Sequence, residues 1–268
     1  MATWRADADR PGRDWEVLGL PKGTQAALFD LDGVLTQTAK VHAKAWKEMF
    51  DDFLRARAQE TGEPFVPFDA HADYDEHVDG LPRADGVRGF LASRHIELPE
   101  GDDDDPPAAQ TVHGLGNRKN ELVLGIMARD GVQPYAGSVK YVDAAKDAGL
   151  KVAVVSSSAN ARDALRAAGI LDRFEHVVDG HTAQEQHLKG KPAPDMFLAG
   201  ARAVGVDPAH AAVFEDALAG VQAGHAGHFG RVVGVDRVGQ ADALREHGAD
   251  VVVKDLSELL DDHDRTAA

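Results

Sequence analysis

Six short apolar runs set the frame for this chain: residues 26–29, 150–155, 175–178, 211–214, 232–235 and 251–253. Each is a few residues long, the length of a buried strand rather than of a helix. Stretches with helical character follow the later runs, at 162–168, 196–204, 218–223 and 241–246, and another at 138–148 precedes the second. Strands that alternate with helices pair in parallel, because each crossover must be long enough to hold a helix. The expectation is an α/β fold with a doubly wound, mainly parallel, Rossmann-like core. The interval between the first and second runs breaks the alternation. Residues 39–59 repeat Val41, Ala45, Met49 and Phe53 every fourth position, an apolar helical stripe. From 62 to 116 the chain is interrupted by Pro64, Pro67, Pro82, Pro99, Pro106 and Pro107 and carries an acidic loop at 102–105. Short helices are expected at 87–94 and 121–129. This interval reads as a small helical cap inserted after the first strand. The expected division is an N-terminal extension at 1–24, a core at 25–38 and 135–268, and a cap at 39–134.

The ends of the runs carry the chemistry. The first ends in Phe29-Asp30-Leu31-Asp32-Gly33, two carboxylates two residues apart and a glycine where the backbone turns sharply. Open α/β sheets bind their ligands at the carboxyl ends of strands. Two neighbouring carboxylates repel, so the pair is reasonable beside a divalent cation or with one member protonated. One could attack phosphorus while the other shuttles a proton; an ordinary Asp-rich turn is the alternative. Thr38, His42 and Trp46 share one line of the following helix, although Trp46 equally fits a core position and His42 a plain surface histidine. Ser156-Ser157-Ser158-Ala159-Asn160 lies between a strand and a helix, where hydroxyls and free N–H groups converge on anions, or where a serine simply caps the helix. Lys191 lies between Gly190 and Pro192 in a loop stiffened by two prolines, with Asp195 placed to cap the next helix. Glu215-Asp216 ends the fourth run. His225 and His228 fit a turn better than a second metal site.

Composition excludes several classes. Lys+Arg 29 against Asp+Glu 45 gives a net charge of −16, unsuited to nucleic acid or an anionic membrane surface. With Cys 0 there are no disulfides, thiolate catalysis or cysteine-based zinc sites. No stretch approaches the ~18 apolar residues of a membrane span. Residues 1–23 lack the apolar centre of a secretory signal, which points to a cytoplasmic protein. Neither a P-loop nor a Gly-x-Gly-x-x-Gly motif occurs.

Phe29-Asp30-Leu31-Asp32-Gly33-Val34-Leu35 followed by Thr38 resembles the first motif of the haloacid dehalogenase superfamily of aspartyl-phosphate enzymes. The longer string through His42 and Trp46 is similar to the β-phosphoglucomutase branch. The resemblance implies that Asp30 is the nucleophile and Asp32 the general acid/base, with Thr38 and His42 controlling Asp32. It matches Ser156 to the second motif's phosphate-binding hydroxyl, Lys191 to the third motif's lysine and Glu215-Asp216 to the fourth motif's metal pair. Mg²⁺ would then be held by Asp30, the main-chain oxygen of Asp32, Glu215 and Asp216. Val78-Asp79-Gly80-Leu81-Pro82-Arg83 resembles the substrate-specificity loop: Gly80 would admit the sugar, and Arg83 would grip the phosphate not being transferred. Lys119 matches a cap lysine that reaches substrate, and His42 and Trp46 match contacts to the sugar phosphate or to the acid/base Asp. Ser157 belongs to the phosphate loop, in which Ser158 and Asn160 match holders of the distal phosphate. Three departures stand out: Gln37 in place of an acidic residue, Asp79 in place of a lysine, and Ala159 in place of a lysine. The implied activity is a phosphomutase interconverting β-D-glucose 1-phosphate and glucose 6-phosphate, with glucose 1,6-bisphosphate as intermediate and activator and a monomer as the working unit. A Mg²⁺-dependent phosphatase of small sugar or polyol phosphates shares every core motif. A silent sugar-phosphate sensor would have no need of the nucleophile, and a dehalogenase none of Asp32 or the metal pair.

Overall fold

The computed structural model describes residues 16–261; expectations for residues 1–15 and for the tail beyond 261 lie outside them. Strand β1 (Ala26–Phe29) is the apolar run before Asp30, and all four of its residues are buried. It lies at the centre of a six-stranded parallel sheet with β2 (Lys151–Val155), β3 (His176–Val178), β4 (Ala211–Glu215), β5 (Arg231–Val235) and β6 (Val251–Val253), in the order β3-β2-β1-β4-β5-β6. The order reverses between β1 and its neighbours β2 and β4, the switch point at which such sheets open a crevice. The doubly wound, mainly parallel expectation is met.

Alternation along the strands feeds two cores. Ala27, Phe29, Val152, Val154, Ala212 and Phe214 face one side, packing against helices α5 (Ala136–Asp147) and α6 (Ala161–Ala167), while Leu18, Leu20, Leu256 and Leu259 join the same layer. Ala26, Leu28, Ala153, Val155, Ala211 and Val213 face the other, towards α7 (Gly180–Glu185), α8 (Asp195–Ala203), α9 (Leu218–Ala226) and α10 (Ala241–Glu246). Buried on both faces, each central strand is a continuous apolar run, as a parallel sheet requires. Phe29 stacks on Phe214 with ring centroids 4.6 Å apart and meets Tyr141 edge-on, locking β1 to β4 beneath the site. Leu18 carries the N-terminal segment into this layer, its carbonyl accepting a 2.7 Å hydrogen bond from the Tyr141 hydroxyl.

A third cluster lies over the strand ends. It is built by α1 (Ala39–Thr61), α2 (Ala72–His77), α3 (Arg83–Ser93) and α4 (Val112–Asp130), with Trp46 stacked on Phe50, Phe50 on Phe68, and Phe90 edge-on to Phe68. The stripe on α1 divides its duties. Ala45 packs with the sheet layer, and Met49 and Phe53 pack within the cap. Val123, Ile126 and Met127 near the end of α4 likewise return to the sheet layer. Both long cap helices are thus rooted in the core. None of the described helices is long and apolar enough to cross a membrane.

Several boundaries differ from expectation. Helix α3 starts at Arg83 rather than 87, and α4 at Val112 rather than 121, so Asn117, Arg118, Lys119 and Asn120 are helical. Helix α2 was not foreseen. Asp195 is the first residue of α8, not its cap; its carboxylate instead accepts a 3.4 Å bond from the Lys189 N–H.

Candidate active site

Asp30 follows β1 directly, and its N–H still donates to the Phe214 carbonyl, so the sheet ladder fixes its backbone. At the next strand end, β4 delivers Glu215, followed by Asp216. Carboxylate oxygens of Asp30, Glu215 and Asp216 lie within 4.8 Å of one another. Two glycines make this packing possible. At Gly33 (φ +81) an added Cβ would fall 1.6 Å from Asp216 Oδ2, and at Gly220 it would fall 2.0 Å from Glu215 Cδ. The turn holding Gly33 is clamped by its own bond to Thr36 and by Arg237, whose Nε donates to the Gly33 carbonyl at 2.7 Å.

Lys191 enters this cluster from the loop before α8. It is 2% exposed, and its Nζ lies 2.5 Å from Asp30 Oδ1 and 2.7 Å from Glu215 Oε2. Burial alone would push the ammonium down, but the two carboxylates reverse that and hold it above the ordinary lysine value. Burial raises Asp30 well above the usual carboxylate range; Glu215 and Asp32 add to the rise, and Lys191 offsets part of it. Asp216 is raised for the same reasons, by burial first and then by Asp79 and Glu215. One ammonium among three clustered carboxylates leaves excess negative charge in a dry place. Oxygen-only donors at that spacing suit a hard divalent cation.

Asp32 points elsewhere. Its Oδ1 accepts a very short hydrogen bond from Thr38 and lies 3.5 Å from His42 Nε2. Thr38 stands at the start of α1 but makes no capping bond; its hydroxyl also meets that of Thr36 at 2.7 Å. The Asp32 carboxylate is therefore not among the three clustered groups. Behind His42, Lys119 comes within 2.7 Å of Nδ1 and lies 4.7 Å from the centre of the Trp46 ring. Burial lowers His42 to about 4, helped by Lys119 and opposed by Asp32. Burial likewise lowers Lys119 to about 7, Asp32 resisting and Arg83 reinforcing. Thr38 and His42 do face Asp32, as the helical spacing allowed, and Trp46 lines the same cleft. The burial of Lys119 is a new fact.

The loop after β2 lies opposite. Ser156 is buried with its N–H on the Val178 carbonyl, and its Oγ accepts from the Ser158 N–H at 3.1 Å. Ser158 Oγ accepts in turn from the Asn160 N–H at 3.2 Å. Ser157 and Asn160 bond to the cap: Ser157 Oγ donates to the Gly80 carbonyl at 2.9 Å, and Asn160 Nδ2 to Asn120 Oδ1 at 2.6 Å. Two further contacts close the cap on the core. Gln184 Nε2 donates to Asp103 Oδ2 at 2.6 Å, and Pro82 seats so close to Gly190 that a Cβ there would be 2.1 Å from the ring. Arg83, at the start of α3, donates from Nη2 to Asn117 Oδ1 at 2.9 Å. The cleft between cap and core is about 1120 Å³ and is lined from the core by Asp30, Asp32, Ser158, Lys191, Glu215 and Asp216, and from the cap by His42, Trp46, Gly80, Arg83 and Lys119.

Tyr74 and Asp79 are among the lining residues that had no site role in the sequence reading. Asp79 was noticed only as a departure, and Tyr74 gave no signal, since its neighbours in sequence do not mark it as inward-facing.

A parallel α/β core with a helical cap, and with an aspartate–lysine–carboxylate cluster at the switch point, defines a phosphotransfer enzyme of the aspartate-nucleophile type. The family described as haloacid dehalogenase-like hydrolase matches residues 24–228, and the chain belongs to it, in the β-phosphoglucomutase-like branch. It is 60% identical over 264 residues to a β-phosphoglucomutase of Mycobacterium bovis, covering 97% of this chain and 100% of that one. With a β-phosphoglucomutase of Bacillus subtilis it shares 33% identity, over 88% of this chain and 91% of the relative. A β-phosphoglucomutase structure from Clostridium difficile shares the fold, with a TM-score of 0.70 at 24% identity over 91% of this chain and 96% of that one.

Proposed function

We propose that this enzyme interconverts β-D-glucose 1-phosphate and glucose 6-phosphate by way of a phosphorylated Asp30 and a glucose 1,6-bisphosphate intermediate. The observation that carries the chemistry is the buried cluster in which Lys191 joins Asp30 to Glu215. Asp30 Oδ attacks phosphorus; the new P–O bond forms on its carboxylate as the bond to the departing sugar oxygen breaks. Lys191 neutralises Asp30 and the equatorial phosphoryl oxygens as a fixed charge. Ser156 donates to the same phosphoryl group. Asp32 moves the proton, giving it to the departing oxygen and removing it from the attacking hydroxyl. Thr38 and His42 both engage Oδ1 of Asp32, so Oδ2 is assigned the proton. Neutral His42 hydrogen-bonds to Lys119, and that pairing ties the acid/base group to the cap.

Asp30, the main-chain oxygen of Asp32, Glu215 and Asp216 would hold Mg²⁺, which offsets the charge between nucleophile and phosphoryl group. Arg83, Ser158 and Asn160 would bind the idle phosphate, so that the bisphosphate can turn over and return its other phosphoryl group to Asp30. Cap contacts through Ser157, Asn160 and Gly190 exclude water from Asp30, and this favours transfer to a sugar over hydrolysis. The working unit is taken to be a monomer.

The test supplies the purified protein with Mg²⁺, β-glucose 1-phosphate and a trace of glucose 1,6-bisphosphate. Glucose 6-phosphate without matching free phosphate is expected, and Asp30→Asn should abolish it. Free phosphate outrunning isomerisation would replace the mutase with a phosphatase, and a fully active Asp30→Asn protein would remove Asp30 from the mechanism.

A further inference from the structure

The loop between β5 and α10 carries none of the residues assigned to the site, yet it is bonded to two of the turns that form the acidic cluster. Arg237 donates from Nε to the Gly33 carbonyl at 2.7 Å, and Gln240 from Nε2 to the Asp216 carbonyl at 3.1 Å. Neither side chain lines the cleft. The loop is itself tied down. The Asp236 N–H donates to the Val253 carbonyl at 2.8 Å, and Asp236 Oδ1 accepts from the N–H groups of Gly239 at 2.6 Å and Gln240 at 2.8 Å. Arg237 Nη1 donates to the Lys254 carbonyl at 2.7 Å, and the guanidinium lies 3.6 Å from the centre of the Tyr135 ring. Its Nη2 is buried with no hydrogen-bond partner among the described residues. A buried donor left unpaired costs stability. This guanidinium is therefore better explained by what its other nitrogens hold than by energy it supplies to the fold.

The two turns need holding. Asp216 lies one residue past β4, whose last paired residue is Glu215, opposite Gly234. The bonds of Lys191 go to Asp30 and Glu215, so Asp216 must be held from elsewhere against the repulsion of like charges. On the other turn, the Gly33 N–H donates to the Thr36 carbonyl at 2.8 Å. That bond orients the whole planar peptide joining Asp32 to Gly33, the Asp32 oxygen included. Arg237 holds the next peptide along. The turns also meet, Gly33 against Asp216 Oδ2, so a loop bonded to both fixes their spacing as well as their direction.

We infer that Arg237 and Gln240 are positioning residues for Mg²⁺, keeping the Asp32–Gly33 turn and Asp216 in place for the cation. The inference rests on the metal assignment proposed above. Mg²⁺ binding is measured by titration calorimetry without substrate on the parent, Arg237→Met and Gln240→Ala, and Asp216→Asn identifies the heat that belongs to the cluster. The control is Arg162→Met, because Arg162 Nη2 makes the same kind of bond to the Val177 carbonyl, at 3.1 Å, on the edge strand β3. Loss of such supporting contacts should weaken Mg²⁺ binding about 10- to 100-fold in Arg237→Met and about 10-fold in Gln240→Ala. The sign is informative, since removing a cationic side chain would by Coulomb's law alone strengthen the binding of a cation. Arg162→Met should bind within about twofold of the parent. Circular dichroism in chelator reports that each variant is folded, and Gln240→Ala decides alone if Arg237→Met is not. Unchanged or tighter binding in the folded variants overturns the inference. So does an equal loss in Arg162→Met, which would make the effect a general softening of the fold. A parent that gives no Mg²⁺ heat, or whose heat survives Asp216→Asn, overturns the metal assignment itself and the inference with it.

Discussion

Replacing Gly33 by alanine separates backbone strain from collision at the acidic cluster. At φ +81 any side chain is strained, and here the new methyl would also sit 1.6 Å from Asp216 Oδ2. Strain of the left-handed kind costs about 1–2 kcal/mol. Asp216 must then swing out of a buried cluster whose geometry Gly33 makes possible, adding about 1–2 kcal/mol more. Gly62 supplies the control. It has nearly the same backbone (φ +76), caps α1, and has nothing within 4 Å of an added Cβ. Gly62→Ala should therefore cost about 1 kcal/mol in urea unfolding, and Gly33→Ala about 2–4 kcal/mol. The sharper difference lies in cation binding. Displacing one of three carboxylates should weaken Mg²⁺ about 100-fold. At a concentration 100 times the parent's Kd, Mg²⁺ then adds about 2.7 kcal/mol to the parent and to Gly62→Ala, but only about 0.4 kcal/mol to Gly33→Ala. Equal unfolding midpoints and equal Mg²⁺ stabilisation in the two variants would refute the claim that Gly33 exists to make room for Asp216.

Three other perturbations follow from the same geometry. Lys191→Met removes the ammonium that joins Asp30 to Glu215, and in chelator should lose about 3–5 kcal/mol by denaturant unfolding, with part of this restored by Mg²⁺; turnover should fall at least about 100-fold. His42 titrates at about 4 in the fold against 6.5 in the unfolded chain, so between those values the unfolded chain binds the extra proton and stability falls as pH falls. That difference is worth up to about 3 kcal/mol, and His42→Gln should flatten the pH dependence of urea unfolding in this window; an unchanged slope would show that another group is responsible. Phe50→Ala, at the centre of the cap's aromatic stack, should cost about 3–5 kcal/mol in thermal or urea unfolding, whereas a cost below about 1 kcal/mol would mean that the cap repacks freely.

The core was legible because the central strands are apolar runs buried on both faces, and because chemistry in such sheets collects at strand ends. Asp30, Ser156, Glu215 and Asp216 are all near the carboxyl end of a strand, so reading the strands nearly located them. The cap helices were harder because glycines inside them serve tertiary contacts. Gly86 lies where a Cβ would be 3.3 Å from the Trp46 ring, and Gly114 where it would be 2.4 Å from the Ala109 carbonyl. In sequence these residues look like helix breakers. In the fold they let Trp46 and the preceding loop pack tightly against the helix backbone, and the helices run through them. Starting α3 and α4 too late then hid where their side chains point.

Lys119 shows the consequence for function. Beside Arg118 in a supposedly irregular stretch it resembles any surface charge, and most lysines are solvated. Once α4 begins at Val112, position 119 falls on its inward side, and the ammonium enters a dry site between His42 and Trp46. Burial of an ammonium is unfavourable unless something holds it, and here the Asp32 carboxylate beyond His42 is the group that favours its charged form. The Asp32 carboxylate and a cap lysine therefore depend on one another through a single imidazole. A cap that swings away from the core would separate the two charges. The surroundings of Asp32 are thus set by a contact between segments more than seventy residues apart, His42 and Lys119, which no local pattern in the chain could display.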